Sequence, residues 1–208
     1  MSDPDRKAHW DEVYGTRKFS EVSWYQPVPE VPLRLIGASG IGPEAAIIDI
    51  GGGASTLIDH LLDAGFEDLT VLDISDRAFA QSRARLGDRA GCVNWIVADV
   101  TAFKPGRRYA LWHDRAVLHF LVDDTDRRRY VEALHDAVGP GGHAVISTFG
   151  PDGPLRCSGL ETQRYDADRM TVLLGPAFEL CESAIEMHAT PTGGRQQFFY
   201  SRWRRKTL

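Results

Sequence analysis

The sequence predicts an α/β fold built on a doubly wound, mostly parallel sheet that ends in an antiparallel hairpin. Three observations carry this. Strand-like and helix-like patterns alternate from residue 45 to residue 149. The first strand, Ala45 to Ile50, is an apolar run of the kind that is buried on both faces of a parallel sheet. Near the end, two strand patterns at about 177–188 and 195–204 are joined by Pro191-Thr192-Gly193-Gly194, a hairpin signal.

The elements follow in order. The first 44 residues hold His9, Trp10, Tyr14, Phe19, Trp24 and Tyr25, then the proline-spaced run from Pro27 to Pro32. Proline disfavours helix in the residue before it, which sets a break near 26–29. Leu33, Leu35 and Ile36 then predict a short helix, stopped between Gly37 and Gly42. This stretch is too short to hold a core of its own and reads as a lid. After the first strand, Ser55 can cap a helix with Leu57, Ile58, Leu61 and Leu62 inward, ended by Gly65. Leu69 to Leu72 is the second strand. Ser75 or Asp76 caps a helix with Ala78, Phe79, Ser82 and Leu86 inward. Val93 to Val97 is the third strand and Tyr109 to Trp112 a short fourth. Asp123-Asp124-Thr125-Asp126 places acids at a helix start, where the dipole favours them. Tyr130, Val131, Leu134 and Val138 continue at helical spacing, and Gly139-Pro140-Gly141-Gly142 stops the helix and turns the chain. His143 to Phe149 is the fifth strand. Residues 150–176 are irregular apart from a helix over 166–174. The expected organisation is one domain over 1–208, with a lid (1–44), a ligand-binding core (45–149), and a substrate loop with the terminal hairpin (150–208).

Composition narrows the function. A hydrophobic share of 43% with 25% charged residues is that of a soluble globular protein. No apolar run nears the roughly 18 residues a bilayer span needs, which argues against a membrane partner. The N-terminal residues lack the apolar stretch of a signal peptide. Cys92, Cys157 and Cys181 are an odd number without metal-ligand spacing, so a reduced, cytoplasmic protein with no metal is expected. The formal charge of -5 argues against non-specific nucleic-acid binding by the domain. The basic tail at 202–206 reads as a solvated chain end.

Open parallel sheets bind ligands beyond the carboxyl ends of their strands. Three strand ends here carry suitable chemistry. Gly51, Gly52 and Gly53 allow a ligand close to the backbone, and the following helix offers free N–H groups. Asp73 lies 22 residues after Gly51, the spacing of an acid that accepts from ribose hydroxyls. Asp99 closes the third strand and could accept from an adenine amino group. The alternative for both acids is loop capping by a short carboxylate. A dinucleotide fingerprint would need a third glycine at position 56, which is Thr56, and a second nucleotide-binding half, which is missing.

The pattern D-x-G-x-G at 49–53, followed by Asp73, Asp99 and the acidic Asp114, resembles the class I S-adenosylmethionine (SAM)-dependent methyltransferases over roughly residues 45–149. The resemblance implies a Rossmann-like, seven-stranded sheet and SAM as cofactor, leaving as S-adenosylhomocysteine (SAH). It implies that Gly51 and Gly53 line the methionine portion and that Asp49 supports the turn near the amino group. Asp73 would hold the ribose, Ile74 would pack on adenine, and Asp99 and Val100 would sit at its edge. His113, after the fourth strand, would face the methyl donor. The run His9-Trp10-Asp11, Tyr14 and Ser23-Trp24-Tyr25 resembles the openings of small methyltransferases, where aromatic rings cover the cofactor. A sulfonium is a cation that a ring face attracts, so Trp24 or Tyr14 is expected in that cover; the alternative is that the rings only pin the segment down.

Methyl transfer is a direct displacement that needs alignment, and a base only where the nucleophile is protonated. His113, Asp114 and His119 are the candidate catalytic groups. His119 has the alternative of a packed helix residue, and Arg115 that of a salt-bridge partner. Arg115, Arg156 and Tyr165 are candidate acceptor contacts. Cys157 is a reactive thiol or, more plainly, a small buried residue. The chain has His-Asp-Arg-Ala after the fourth strand in place of the N-P-P-Y type segment, which argues against nucleobase methylation. A small-molecule acceptor is the first expectation. A protein lysine is the second, and a non-catalytic SAM- or SAH-binding regulator the third. The sequence leaves the oligomeric state open.

Overall fold

The computed structural model describes residues 3–16 and 18–207. The expected segments extend to residues 1 and 208, which with 2 and 17 lie outside the described residues. In chain order the elements are α1 (Asp3–Thr16), α2 (Glu30–Gly37), β1 (Ile47–Ile50), α3 (Leu57–Asp63), β2 (Leu69–Asp73), α4 (Asp76–Leu86), β3 (Val93–Val97), β4 (Tyr109–Arg115), α5 (Asp124–Ala137), β5 (Val138–Phe149), β6 (Arg156–Cys157), β7 (Leu160–Glu161), α6 (Ala167–Leu174), β8 (Phe178–Ala189) and β9 (Arg195–Arg205). One seven-stranded sheet runs β3-β2-β1-β4-β5-β9-β8. Its first five strands are mutually parallel, and β9 is antiparallel to both β5 and β8. The expected α/β sheet with a terminal hairpin is the fold observed. Strand order reverses between β1 and β4, the place where an open sheet leaves a crevice.

Side-chain alternation splits the core into two layers. Ile47, Leu111 and Val145 join α2, α3 and α4 on one face. Ile48, Trp112 and Ile146 join α5 and α6 on the other. Local chemistry sets the ends. Ser55 Oγ accepts from Leu57 N–H (3.1 Å) as α3 begins, and Gly65 leaves it at φ 85°. Asp123 caps α5 by accepting from Thr125 N–H, and Asp166 caps α6 from Arg169 N–H. The buried residues of α4 are Ala78, Phe79, Ser82 and Leu86, as expected.

Two boundaries differ from the sequence reading. The fourth strand is longer, so His113, Asp114 and Arg115 lie within β4 and not after it, because Asp49 and Ile50 of β1 pair with His113 and Asp114. The chain also passes from α5 straight into β5 at Val138, so the glycine run does not separate them. Val138 pairs with Tyr109, and the glycines are absorbed in a register shift, with Gly141 at φ 81°. A third feature, α1, carried no clear signal: it is charged, and its aromatic residues do not make an apolar stripe. Irregular residues 150–166 contain the small hairpin β6–β7.

Candidate functional site

A cavity of about 1190 Å³, its mouth included, opens at the switch point between β1 and β4. Its near end is lined by Asp49, Gly51, Asp73, Ile74, Asp99 and Val100. Gly51 has φ 65°, and a Cβ there would overlap Val117. The glycine thus permits both the turn and the approach of the next loop. Gly53 does not line the cavity. Its N–H donates to Asp73 Oδ2 (3.1 Å), and a Cβ on it would overlap Ala78 and Asp73, so it serves close packing beneath the turn.

Both acids make the loop-capping hydrogen bonds that the sequence offered as the alternative, and both also line the cavity. Asp73 is buried and accepts from Gly53 and Ser75 N–H, yet it also faces the cavity. Burial pushes its carboxyl up to about 6, with the nearby Asp49 adding to the effect and the backbone N–H groups opposing it. Asp99 Oδ1 accepts from Thr101 N–H (2.8 Å) and Thr101 Oγ1 (2.7 Å), and its Oδ2 takes Arg6 Nε (2.9 Å). A carboxylate offers about four acceptor positions, which leaves Asp99 roughly one.

A cover of aromatic residues closes the cavity from the N-terminal side. Tyr14 and Trp24 line it, as does Trp10, which packs edge-on against Trp24 (5.9 Å) and Phe120 (5.1 Å). The segment is clipped to α4: Ser75 Oγ donates to Asp11 Oδ1 (2.6 Å), and Gln81 Oε1 accepts from Phe19 N–H (3.0 Å). Arg6 reaches from α1 to both Asp99 and Asp126 (2.6 Å).

The far end is lined by His113, Arg115, His119, Phe149, Cys157 and Phe198. His113 Nδ1 lies 2.6 Å from Asp49 Oδ1, both residues buried. A carboxylate only accepts, so Nδ1 donates, while Nε2 is buried without a partner on a residue that lines the cavity. His119 is held the other way round. Its Nδ1 accepts from Phe149 N–H (3.1 Å), which puts the proton of the neutral ring on Nε2, also buried without a partner. Burial and the Arg115 guanidinium push His119 down to about 3, so it is a neutral donor at ordinary pH. Arg115 donates from Nε to Tyr200 Oη (2.9 Å) and from Nη1 to the Trp24 carbonyl (2.8 Å), and its guanidinium carbon stands 4.6 Å from the centre of the Phe198 ring. Arg115 Nη2 is buried without a partner.

Three expected site residues stand elsewhere. Asp114 follows His113 in a strand, so it faces the opposite side of the sheet. Fully buried there, it accepts from Val117 N–H (2.9 Å), Leu118 N–H (3.1 Å) and Tyr130 Oη (2.7 Å). It holds the turn that bears His119, a turn entered through Ala116 at φ 76°. Tyr165 enters the core beside α5 and α6, where burial pushes its phenol up to about 12. Arg156 is exposed and donates to the Gly159 carbonyl within the β6–β7 hairpin. Cys157 is buried, and burial pushes its thiol up, in keeping with the plainer reading. Trp10, Arg6 and Phe198 join the cavity without having been singled out. Trp10 stands four residues before Tyr14 on α1, a spacing that could have marked it; Arg6 sits in a charged run and gives no sign.

Residues 48–144 match the family described as "Methyltransferase domain". Over that stretch the chain is similar to methyltransferase domains. The chain resembles Nodulation protein S of Sinorhizobium fredii, 32% identical over 107 residues, which are 51% of this chain and 49% of that protein. The chain thus spans about half the length of that relative in the match. Among solved structures, N-methyltransferase NodS from Bradyrhizobium japonicum WM9 in complex with SAH aligns with a TM-score of 0.73 at 19% identity, over 97% of this chain and 99% of that one. The 1,6-didemethyltoxoflavin-N1-methyltransferase of Burkholderia thailandensis, with 1,6-didemethyltoxoflavin and SAH bound, aligns at a TM-score of 0.71 and 18% identity, over 100% of this chain and 92% of that one. These two likenesses bear on the fold. No helix among the described residues is long and apolar enough to cross a membrane, and none of their His, Cys, Asp and Glu side chains form a metal-holding group.

Proposed function

We propose that the protein transfers a methyl group from SAM to a small-molecule acceptor in a reduced, cytoplasmic setting. The observation that carries this reading is the continuity of one covered cavity, from the glycine turn and Asp73 to the His113–Arg115 compartment. The residues fit the cofactor on their own chemistry. Asp49 Oδ2 is a buried acceptor without a partner beside the glycine turn, suited to an ammonium group. Asp73 suits a ribose diol, and the aromatic cover suits a sulfonium. SAM supplies a methyl carbon bonded to sulfur; that bond breaks as the acceptor's lone pair bonds to carbon, and SAH leaves. His113, oriented by Asp49, presents a bare Nε2 that would take the acceptor's proton. His119 presents an N–H, and Arg115 holds the far wall. Structural neighbours described as N-methyltransferases, one of them with 1,6-didemethyltoxoflavin bound, add support for a small acceptor.

The test is to incubate the protein with methyl-labelled SAM and, separately, a metabolite extract and a proteome extract. Label in the metabolite pool is expected. Label in protein would replace this reading with the lysine acceptor, and tight SAM binding with label in neither pool would make the chain a SAM- or SAH-responsive regulator.

A further inference from the structure

Buried polar atoms normally find partners, so those that do not are informative. Asp49 Oδ2 and His113 Nε2 face the cofactor end and the proposed chemistry. Among the lining residues there remain one acceptor, Gln26 Oε1, and two donors, Arg115 Nη2 and His119 Nε2–H, and it is the two donors that lack acceptors on the wall beyond. The groups around them do not neutralise the guanidinium directly. Arg115 bonds to a phenol and a backbone carbonyl, both uncharged. The carboxylate of Glu186 is reached only through Tyr200 Oη, which donates to it (2.8 Å). The rings of Phe149 and Phe198 and the half-buried Trp24 complete an apolar compartment about this donor pair. A charge kept from water with its hydrogen bonds unmade is costly, and a bound anion would remove that cost.

We propose, as a deepening of the methyltransferase reading, that this compartment is a carboxylate subsite. The acceptor is a small carboxylic acid with an apolar body. Its two oxygens take the Arg115 Nη2 and His119 Nε2 protons, and its body packs among Phe149, Phe198 and Trp24. The site offers one formal positive charge and two free donors, with Glu186 two hydrogen bonds away through Tyr200. That balance suits a monoanion and opposes a phosphate dianion.

The experiment is calorimetric titration of the protein, with and without saturating SAH, by phenylacetate, cinnamate and indole-3-acetate, each beside its amide. At least one acid should bind tenfold or more tightly than its amide. Arg115→Met should reduce that preference below twofold, and Arg115→Lys should retain part of it, both read as the acid-to-amide ratio at saturating SAH so that any change in SAH affinity cancels. If Arg115→Met fails to fold, the acid-to-amide ratio of the wild type and of Arg115→Lys still decides. Equal binding of acids and amides, no binding of any acid at millimolar concentration, or a preference that survives Arg115→Met overturns the proposal. A wild type that ignores SAH yet prefers acids would instead sink the cofactor reading and leave the subsite standing.

Discussion

Replacing Asp114 tests whether this buried acid holds the active-site turn or takes part in chemistry. Asp114→Ala removes the acceptor for the Val117 and Leu118 amides and for Tyr130 Oη, which itself accepts from Trp112 Nε1 (3.0 Å). Each donor orphaned in a dry site costs about 1–3 kcal/mol, and relaxation shares the loss, so about 3–5 kcal/mol is expected. At roughly 2–4 °C per kcal/mol for a chain of this size, the melting temperature falls by about 6–20 °C. Asp114→Asn keeps one acceptor oxygen and removes the buried charge. Burial pushes Asp114 up to about 6, above the ordinary carboxylate value. The folded state therefore holds a proton that the unfolded chain has released, and wild-type stability from this group falls as pH rises through that window. Between pH 5 and 7.5 the loss is about 1.4 kcal/mol. Asp73 adds a similar slope to both proteins, so it cancels in the comparison. Chemical denaturation at the two pH values should show the gap between wild type and Asp114→Asn narrowing by that amount. Because Asp114 faces away from the cavity, Asp114→Asn should also keep SAH affinity within threefold. A constant gap, an Ala variant that melts with the wild type, or an Asn variant that is stable yet unable to transfer label would each refute the positioning role.

Three more outcomes follow from the same geometry. Gly51→Ala meets both a positive φ and Val117, and should weaken SAH binding at least tenfold by calorimetry; Gly65→Ala, at φ 85° with open space around it, should cost only about 1–2 kcal/mol of stability and leave SAH binding alone. Trp24→Ala and Trp10→Ala should each lower SAM affinity more than SAH affinity, because only SAM carries the sulfonium charge; unchanged affinities would reduce the rings to pins for the lid. His113→Gln should keep SAH affinity within threefold but slow label transfer about 10²–10⁴-fold.

The parts of the site legible in the sequence were those that depend on backbone. The glycine turn, the strand-end acids and the buried face of α4 follow from local spacing, and each stands where the spacing put it, Gly53 lying just beneath the cavity it was expected to line. The acceptor end was less legible, because it depends on which face of a strand each residue takes. Ending the fourth strand at Trp112 left His113, Asp114 and Arg115 as loop residues free to converge. Extending it to Arg115 fixes alternate faces, so the histidine and arginine share the cavity while the acid between them leaves it. Tyr165 and Arg156 failed for a similar reason, since the path of residues 150–166 is set by tertiary contacts such as Tyr165 N–H to the Phe149 carbonyl (2.9 Å).

The same alternation explains how one short segment supplies two histidines of opposite character. His113 is in register with Asp49 on the neighbouring strand, so a carboxylate fixes its proton on Nδ1 and leaves a lone pair facing the cavity. His119 lies on a turn that Asp114 holds from the far side of the sheet, and the Phe149 amide fixes its proton on Nε2. Under the proposed function, an acceptor bound between them would meet a ring lone pair on one side and an N–H donor on the other. Exchanging the tautomers would require moving a strand or a backbone amide, so the opposed orientation of the two rings is built into the sheet itself.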